Sequence, residues 1–148
     1  MTTADRDDVA RASTTIDAPN PRVWSALVDP EQIARWMVGT TVDTDWREGS
    51  TITWKGEWQG TAYEDKGTVL QVDEGRLLQY TDYSPLSGQP DVPESYHTVT
   101  IELTGSMPTR VTLSQDGNGS REMRDHSAAF WQSMLDTLTQ QVEGPHDG

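Results

Sequence analysis

A stretch near the end of the chain limits what the rest can fold into. Met123, Ser127, Phe130, Trp131, Met134, Leu135, Leu138 and Val142 recur at i, i+4, i+7, i+8, i+11, i+12, i+15 and i+19. Side chains spaced this way share one broad face of an α-helix. The pattern therefore predicts a long helix from Met123 to Glu143. Asp125, Gln132, Asp136, Gln140 and Glu143 take the other side. Gly144-Pro145 then stops it, because glycine releases a helix end and proline cannot extend it. Nothing else in the chain reads as a long helix, and most of what precedes it reads as strand. A lone helix with so wide an apolar stripe must lie across a sheet. The question of function becomes whether that sheet closes on the helix completely or leaves a pocket.

The earlier segments read in order. Val9 to Ile16 is rich in β-branched and small residues, with enough polar content for a sheet edge. Asn20 reads as an N-cap with Pro21 at the first helical position, opening a short helix to Leu27. Asp29-Pro30-Glu31-Gln32 repeats the signal, with Gln32 reaching back as in a capping box. That second short helix runs to about Trp36 and buries Ile33, Trp36 and Met37. Val42, Thr44 and Trp46 alternate against Asp43 and Asp45 as a strand, and Arg47-Glu48-Gly49-Ser50 turns. Ile52, Trp54 and Trp58 share a parity in the next strand. Gly60 to Val72 and Arg76 to Tyr83 form a pair joined at Asp73-Glu74-Gly75.

Ser84 to Glu94 carries three prolines. It reads as a surface loop, either a cover over a site at the sheet's end or an insertion without a role. In Ser95 to Thr104, His97, Val99, Ile101 and Leu103 share one face. Arg110 to Gln115 returns with Val111 and Leu113 inward. Consecutive strands joined by tight turns make an antiparallel sheet. One helix cannot cover a flat sheet of about seven strands, so the sheet must curl around it.

The 148 residues suit one domain spanning 1–148, with a core over about 9–143 and flexible tails at 1–8 and 144–148. The absence of cysteine excludes disulfides, thiolate metal sites and a cysteine nucleophile. No basic segment leads into an apolar run, and no apolar stretch approaches the roughly 20 residues a membrane helix needs. A soluble, cytoplasmic protein is expected. The net charge of -13 repels phosphate backbones and anionic membranes, so neither nucleic acid nor membrane is an expected partner. Self-association stays open. His97, His126 and His146 have no metal-ligand spacing, and no phosphate loop, dinucleotide fingerprint or nucleophile elbow occurs. No cofactor is expected. Six tryptophans stand against one phenylalanine; such flat side chains fill a small core or line a pocket for an apolar guest.

Order and motifs together resemble the helix-grip fold of the START-like, or Bet v 1-like (SRPBCC), superfamily. Within it the chain is similar to small bacterial proteins related to the C-terminal domain of the activator of the Hsp90 ATPase. The likeness is carried by Ile16-Asp17-Ala18-Pro19, Val23-Trp24-Ser25-Ala26-Leu27, Asp29-Pro30-Glu31 with Trp36, and Arg47-Glu48-Gly49. It continues through Gly67-Thr68-Val69-Leu70, Leu77-Leu78-Gln79-Tyr80, Arg110-Val111-Thr112-Leu113, and Phe130-Trp131 with Leu135 and Leu138. The resemblance implies an α+β fold: a curved antiparallel sheet of about seven strands around a C-terminal helix, with two short helices after the first strand. It also implies a cavity between sheet and helix that holds apolar or aromatic small molecules. Some superfamily members are polyketide cyclases or lyases, and the eukaryotic relative is a cochaperone. Two departures stand out: Phe130-Trp131 replaces a Gly-Trp pair, and Gly49-Ser50 replaces a Gly-Gly turn. The phenylalanine adds bulk on or beside the gripped face.

Trp36, Trp54, Trp58, Tyr63, Tyr80, His97, Phe130 and Met134 are the candidates for the ligand-binding wall. His97 is the one candidate for catalysis. Its parity turns it inward, where an imidazole orients a ligand or moves a proton. Three readings follow. A carrier needs a largely apolar pocket. A cyclase-like or hydrolase-like enzyme needs His97 and the hydroxyl of Tyr63 or Tyr80 converging in that pocket. A cochaperone-like protein needs an exposed apolar patch larger than monomers usually show. The carrier is the expected function.

Overall fold

The computed structural model describes residues 9–37, 39–58, 60–85 and 88–144, with the side chain of Trp58 left undescribed. Expectations for the tails at 1–8 and 145–148 lie outside the described residues.

Strand β1 (Ala10–Ile16) leads into helices α1 (Asn20–Val28) and α2 (Pro30–Trp36). Strands β2 (Thr41–Asp43), β3 (Thr51–Trp58), β4 (Thr61–Asp73) and β5 (Leu77–Asp82) follow, then a short 3₁₀ turn (Pro93–Ser95). β6 (His97–Thr104), β7 (Thr109–Gln115) and helix α3 (Arg121–Glu143) complete the chain. The seven strands form one antiparallel sheet in the order β1-β7-β6-β5-β4-β3-β2. Strands β2 to β7 neighbour in sequence order, each turning back beside the one before it, even across the long proline-rich link between β5 and β6. The first strand reaches the opposite edge because α1 and α2 carry the chain across. The sheet curls around α3, which is the helix-grip arrangement.

Period-two alternation sorts the sheet into two faces. Ala12, Ile16, Ile52, Val69, Leu78, Val99, Ile101, Leu103, Val111 and Leu113 line the inner face and are buried. Against them α3 buries Trp131, Leu135, Leu138 and Val142. The helix opens on Ser120, whose Oγ accepts from the Met123 N–H at 3.1 Å. One flank of α3 is stitched to the edge strand. Gln132 donates Nε2–H to the Ser13 carbonyl (2.9 Å), while its Oε1 accepts from the Ser13 N–H. Thr139 meets the Thr14 hydroxyl (2.8 Å), and Glu143 accepts from the Asp17 N–H (2.7 Å). The Gln132 bonds occupy the N–H and C=O of Ser13 on an edge strand that would otherwise template another chain.

Two local expectations are corrected. The N-cap position of α1 is Pro19, with no side-chain cap; Asn20 is already helical and donates Nδ2–H to the Gly75 carbonyl at 2.8 Å. Asparagine thereby ties α1 to the β4–β5 turn instead of capping its own helix. Trp46 lies beyond β2 with a positive φ of 57°. Its indole N–H donates to the Val28 carbonyl at 2.8 Å, closing the end of α1, and that bond takes precedence over continued strand pairing. Asp29 does cap α2, accepting from the Glu31 N–H at 3.2 Å. Gln32 reaches the Asp29 side chain (3.0 Å).

Candidate functional site

The inner face is not apolar throughout. Along β3–β5 the inward positions include Trp54, Asp65, Tyr80 and Asp82. Trp54 stands opposite Asp65, Val69 opposite Tyr80, and Asp82 opposite His97 on β6. Cross-strand partners share a face, so these side chains gather on one patch. Gly67 makes the patch compact: a Cβ there would lie 1.7 Å from the Thr81 carbonyl oxygen. Only glycine lets β5 pass this close to β4, and the passage brings Asp82 beside Asp65.

The aromatic half of the patch is Trp54 and Tyr80, both buried, with ring centroids 5.1 Å apart and planes tilted by 47°. The polar half is Asp65 and Asp82. Each residue keeps partial exposure, yet the Oδ1 of each is shut off from solvent and has no hydrogen-bond partner. Burying a carboxylate oxygen without a donor disfavours its charge. Asp82 is accordingly pushed up to about 7, first by burial and then by the charge of Asp65. Burial also raises Asp65, while a hydrogen bond from the Ser84 side chain opposes it. Burial, reinforced by Asp82, raises Tyr80 as well, so its hydroxyl stays neutral.

The other candidates from the sequence are distributed around this patch. Tyr63 is half-buried on its edge; its hydroxyl meets Thr40 Oγ1 at 2.9 Å, and the ring lies across Gly56. Trp36 is buried at the α1–α2 junction, where its indole N–H donates to the Ala26 carbonyl at 2.9 Å. That bond fixes the helical shelf and places Trp36 within the core cluster. His97 is inward by register, but its Nδ1 meets the Asp116 carbonyl at 2.8 Å and the ring packs against Gly117. The imidazole therefore holds the link between β7 and α3. Met134 is partly buried against the core. Phe130 is half exposed and edge-on to Trp131, with centroids 5.4 Å apart. The side chain of Trp58 lies outside the described residues.

Helix geometry says what Phe130 and Met134 flank. At about 100° per residue, Gln132 and Thr139 lie on one side of the buried Trp131–Leu135–Leu138 stripe and bond to β1. Met123, Phe130, Met134 and Gln141 lie on the other. Gln141 reaches the Gln32 carbonyl of α2 at 3.1 Å. The apolar flank thus faces away from β1, on the side of α3 turned towards α2.

Reading the sequence for histidine and aromatic residues misses Asp65 and Asp82. The available signal is parity: Asp82 continues the inward row Leu78–Tyr80, and Asp65 begins the row Asp65–Gly67–Val69. The proline-rich loop folds onto the outer face of the sheet. Tyr83 and Tyr96 stack there at 5.1 Å, Tyr83 donates to the Gln89 carbonyl at 2.7 Å, and Tyr96 donates to Asp91 at 2.6 Å. Lys66 pairs with the same Asp91 at 2.5 Å. An open groove of about 400 Å³ remains, lined by Thr68, Thr81, Asp91, Val92, Pro93 and Tyr96. It is on the opposite face from Asp65 and Asp82.

Residues 17–143 match the family described as activator of Hsp90 ATPase homolog 1-like protein. The chain belongs to that family. Among solved structures, this family member is similar to ChR145 from Cytophaga hutchinsonii, with 51% identity over 91% of this chain and 93% of that one, at a TM-score of 0.81. Protein NE0264 from Nitrosomonas europaea shares 21% identity over 93% and 96% of the two chains, at a TM-score of 0.73. CalU16 from Micromonospora echinospora shares 23% over 92% and 84%, at 0.68. The last two are likenesses of fold alone. No curated protein matches the chain. Among the described residues no helix is long and apolar enough to cross a membrane.

Proposed function

We propose that this member of the family binds an apolar or aromatic small molecule between the curved sheet and α3. The observation that carries the reading is the patch itself: the Trp54–Tyr80 pair beside two carboxylates that the folded chain leaves partly unsatisfied. A core formed only for stability would put apolar side chains at these inward positions, because an unpaired buried carboxylate costs free energy. Ligand sites are mostly apolar surfaces with a few convergent polar groups, and this patch has that composition. The apolar flank Met123–Phe130–Met134 supplies a second wall, with Met123 and Phe130 about half exposed.

The test is a titration with Nile red, a neutral apolar dye, together with native mass spectrometry of gently purified protein. The expected result is enhanced, blue-shifted emission at micromolar protein, weakened at least tenfold by Phe130→Glu. Phe130 is half exposed, so that substitution puts a charge on the proposed wall without opening the core. Unchanged dye emission together with a bare-protein mass would overturn the reading.

A second reading, acid–base turnover of the bound molecule, is favoured by the position of Asp82. A general acid or base works best with a pKa near the working pH, and Asp82 is pushed up to about 7 within the same patch. Turnover that survives Asp82→Asn would remove it.

A further inference from the structure

We propose that the molecule taken up on the inner face carries a protonated amine, held by the carboxylates of Asp82 and Asp65. This inference rests on the binding reading above and adds the chemical class of the ligand.

The argument begins with what the two carboxylates lack. An ionised carboxylate is a pure acceptor and needs donors. Ser84 supplies one to Asp65, yet the Oδ1 of each aspartate has no partner. Among the described residues no lysine or arginine forms an ion pair with either: the pairs found are Lys66–Asp91, Arg76–Asp73 and Arg124–Asp125. Lys66 follows Asp65 directly in sequence, but alternation turns it to the outer face, where Asp91 holds it. The inner face thus carries paired acceptors, and the cation nearest in sequence is committed elsewhere. An ammonium group has three donors and no acceptor, so it complements this pair. A carboxylate or phosphate ligand would add a third like charge.

The surroundings fit the same class. Trp54 and Tyr80 stand on the same patch, and aromatic faces attract cations. Their area suits an aromatic or aliphatic body behind the ammonium. The overall charge of -13 raises the local concentration of any cation. A bare metal ion is a poorer match, because no group of three or more His, Asp or Glu side chains able to hold one occurs among the described residues.

The test uses three probes of one shape: naphthylmethylamine, naphthylmethanol and naphthoate. Each is titrated calorimetrically into the full chain at pH 8, with and without 0.5 M NaCl. The expected result is that the amine binds at least tenfold more tightly than the alcohol, at both salt concentrations, and that naphthoate binds worst. Asp82→Asn should erase the gap between amine and alcohol by weakening the amine at least tenfold. Asp65→Asn should narrow it. At pH 7 amine binding should release protons, read from the dependence of the heat on the buffer's ionisation enthalpy. Equal binding of amine and alcohol would overturn the inference and leave the binding reading standing. So would a preference that survives Asp82→Asn, or one that vanishes in high salt as a long-range field would. Failure of all three probes to bind would overturn both. Circular dichroism of the two aspartate variants, expected to overlay on the parent, guards against loss of fold.

Discussion

The Trp54 indole and the Tyr80 phenol meet at 5.1 Å on the inner face, from strands separated in the sheet by β4. They span a strand that presents only Asp65, Gly67 and Val69 beneath them. The contact joins the β2–β3 end of the sheet to its middle. Trp54→Ala should cost about 3–5 kcal/mol, the usual range for deleting a buried aromatic side chain. Tyr80→Phe keeps the ring and should cost under about 1.5 kcal/mol, as shape-conserving swaps do. Urea unfolding of both variants measures the difference. Equal losses would mean that the Tyr80 hydroxyl contributes as much as the Trp54 ring.

Asp82 predicts the pH dependence of stability. Its folded pKa, about 7, lies above its ordinary value of 3.8. The native state therefore keeps a proton that the unfolded state releases between those values. Stability from this group is fully present below about pH 3.8 and declines as pH rises towards 7. The facing groups are Asp65 on β4, His97 on β6, and Tyr80 and Ser84 on or beside β5. Asp65 is raised too, so it works in the same direction. Asp82→Asn should flatten the decline and stabilise the protein at pH 8 by up to roughly 4 kcal/mol, taking about 1.4 kcal/mol per pKa unit. Urea unfolding at pH 5 and pH 8 checks this. An asparagine variant less stable than the parent at pH 8 would show that Asp82 is satisfied in the folded state.

Two glycines beneath the site differ in what they can tolerate. At Gly67 an added Cβ would meet the Thr81 carbonyl oxygen at 1.7 Å, and that oxygen belongs to the backbone. Gly67→Ala must push β5 off β4 and should cost about 3 kcal/mol or more, at the upper end of overpacking. At Gly56 the added Cβ would meet the Tyr63 hydroxyl at 2.6 Å, the far end of a side chain. Gly56→Ala should therefore cost less and release Tyr63 from Thr40. Thermal unfolding ranks the two, and the reverse order would contradict the close approach at Gly67.

Periodicity made most of the fold legible. The stripe from Trp131 to Val142 and the rows Val99–Ile101–Leu103 and Val111–Leu113 are long enough for spacing alone to place them, and all are buried. Short runs are weaker evidence. Trp46 alternates with Val42 and Thr44 as a strand would, yet a positive φ and a bond to Val28 take it out of the sheet. Asn20 looks like a cap because a proline follows it, but the partner it bonds is Gly75, 55 residues away, and local pattern cannot see that. Of the proposed site, the aromatic half was legible. Trp54 and Tyr80 stand out by size and parity. An aspartate at the end of an inward row reads as solvated, since charged side chains are rarely buried unpaired. His97 draws attention because imidazole is common in sites, whereas its bond to Asp116 depends on the path of the link to α3.

The proline-rich loop on the outer face gives the last prediction. Asp91 accepts from the Tyr96 hydroxyl and pairs with Lys66, and Tyr96 stacks on the buried Tyr83. The hydrogen bond to Asp91 holds the Tyr96 phenol above its ordinary range, and the same partners hold the Asp91 carboxyl below its own. Asp91→Asn removes the charge from both contacts. Tyr96 should then ionise at lower pH, because loss of the carboxylate removes both the strong acceptor and the repulsion of a nearby negative charge. Phenolate absorbance at 295 nm, compared with a Tyr96→Phe control, isolates that one group. The Tyr83–Tyr96 stack should persist, since it rests on ring contact, so Nile red binding on the inner face should be unchanged. A parallel loss of dye binding would mean that the loop governs the inner site from across the sheet.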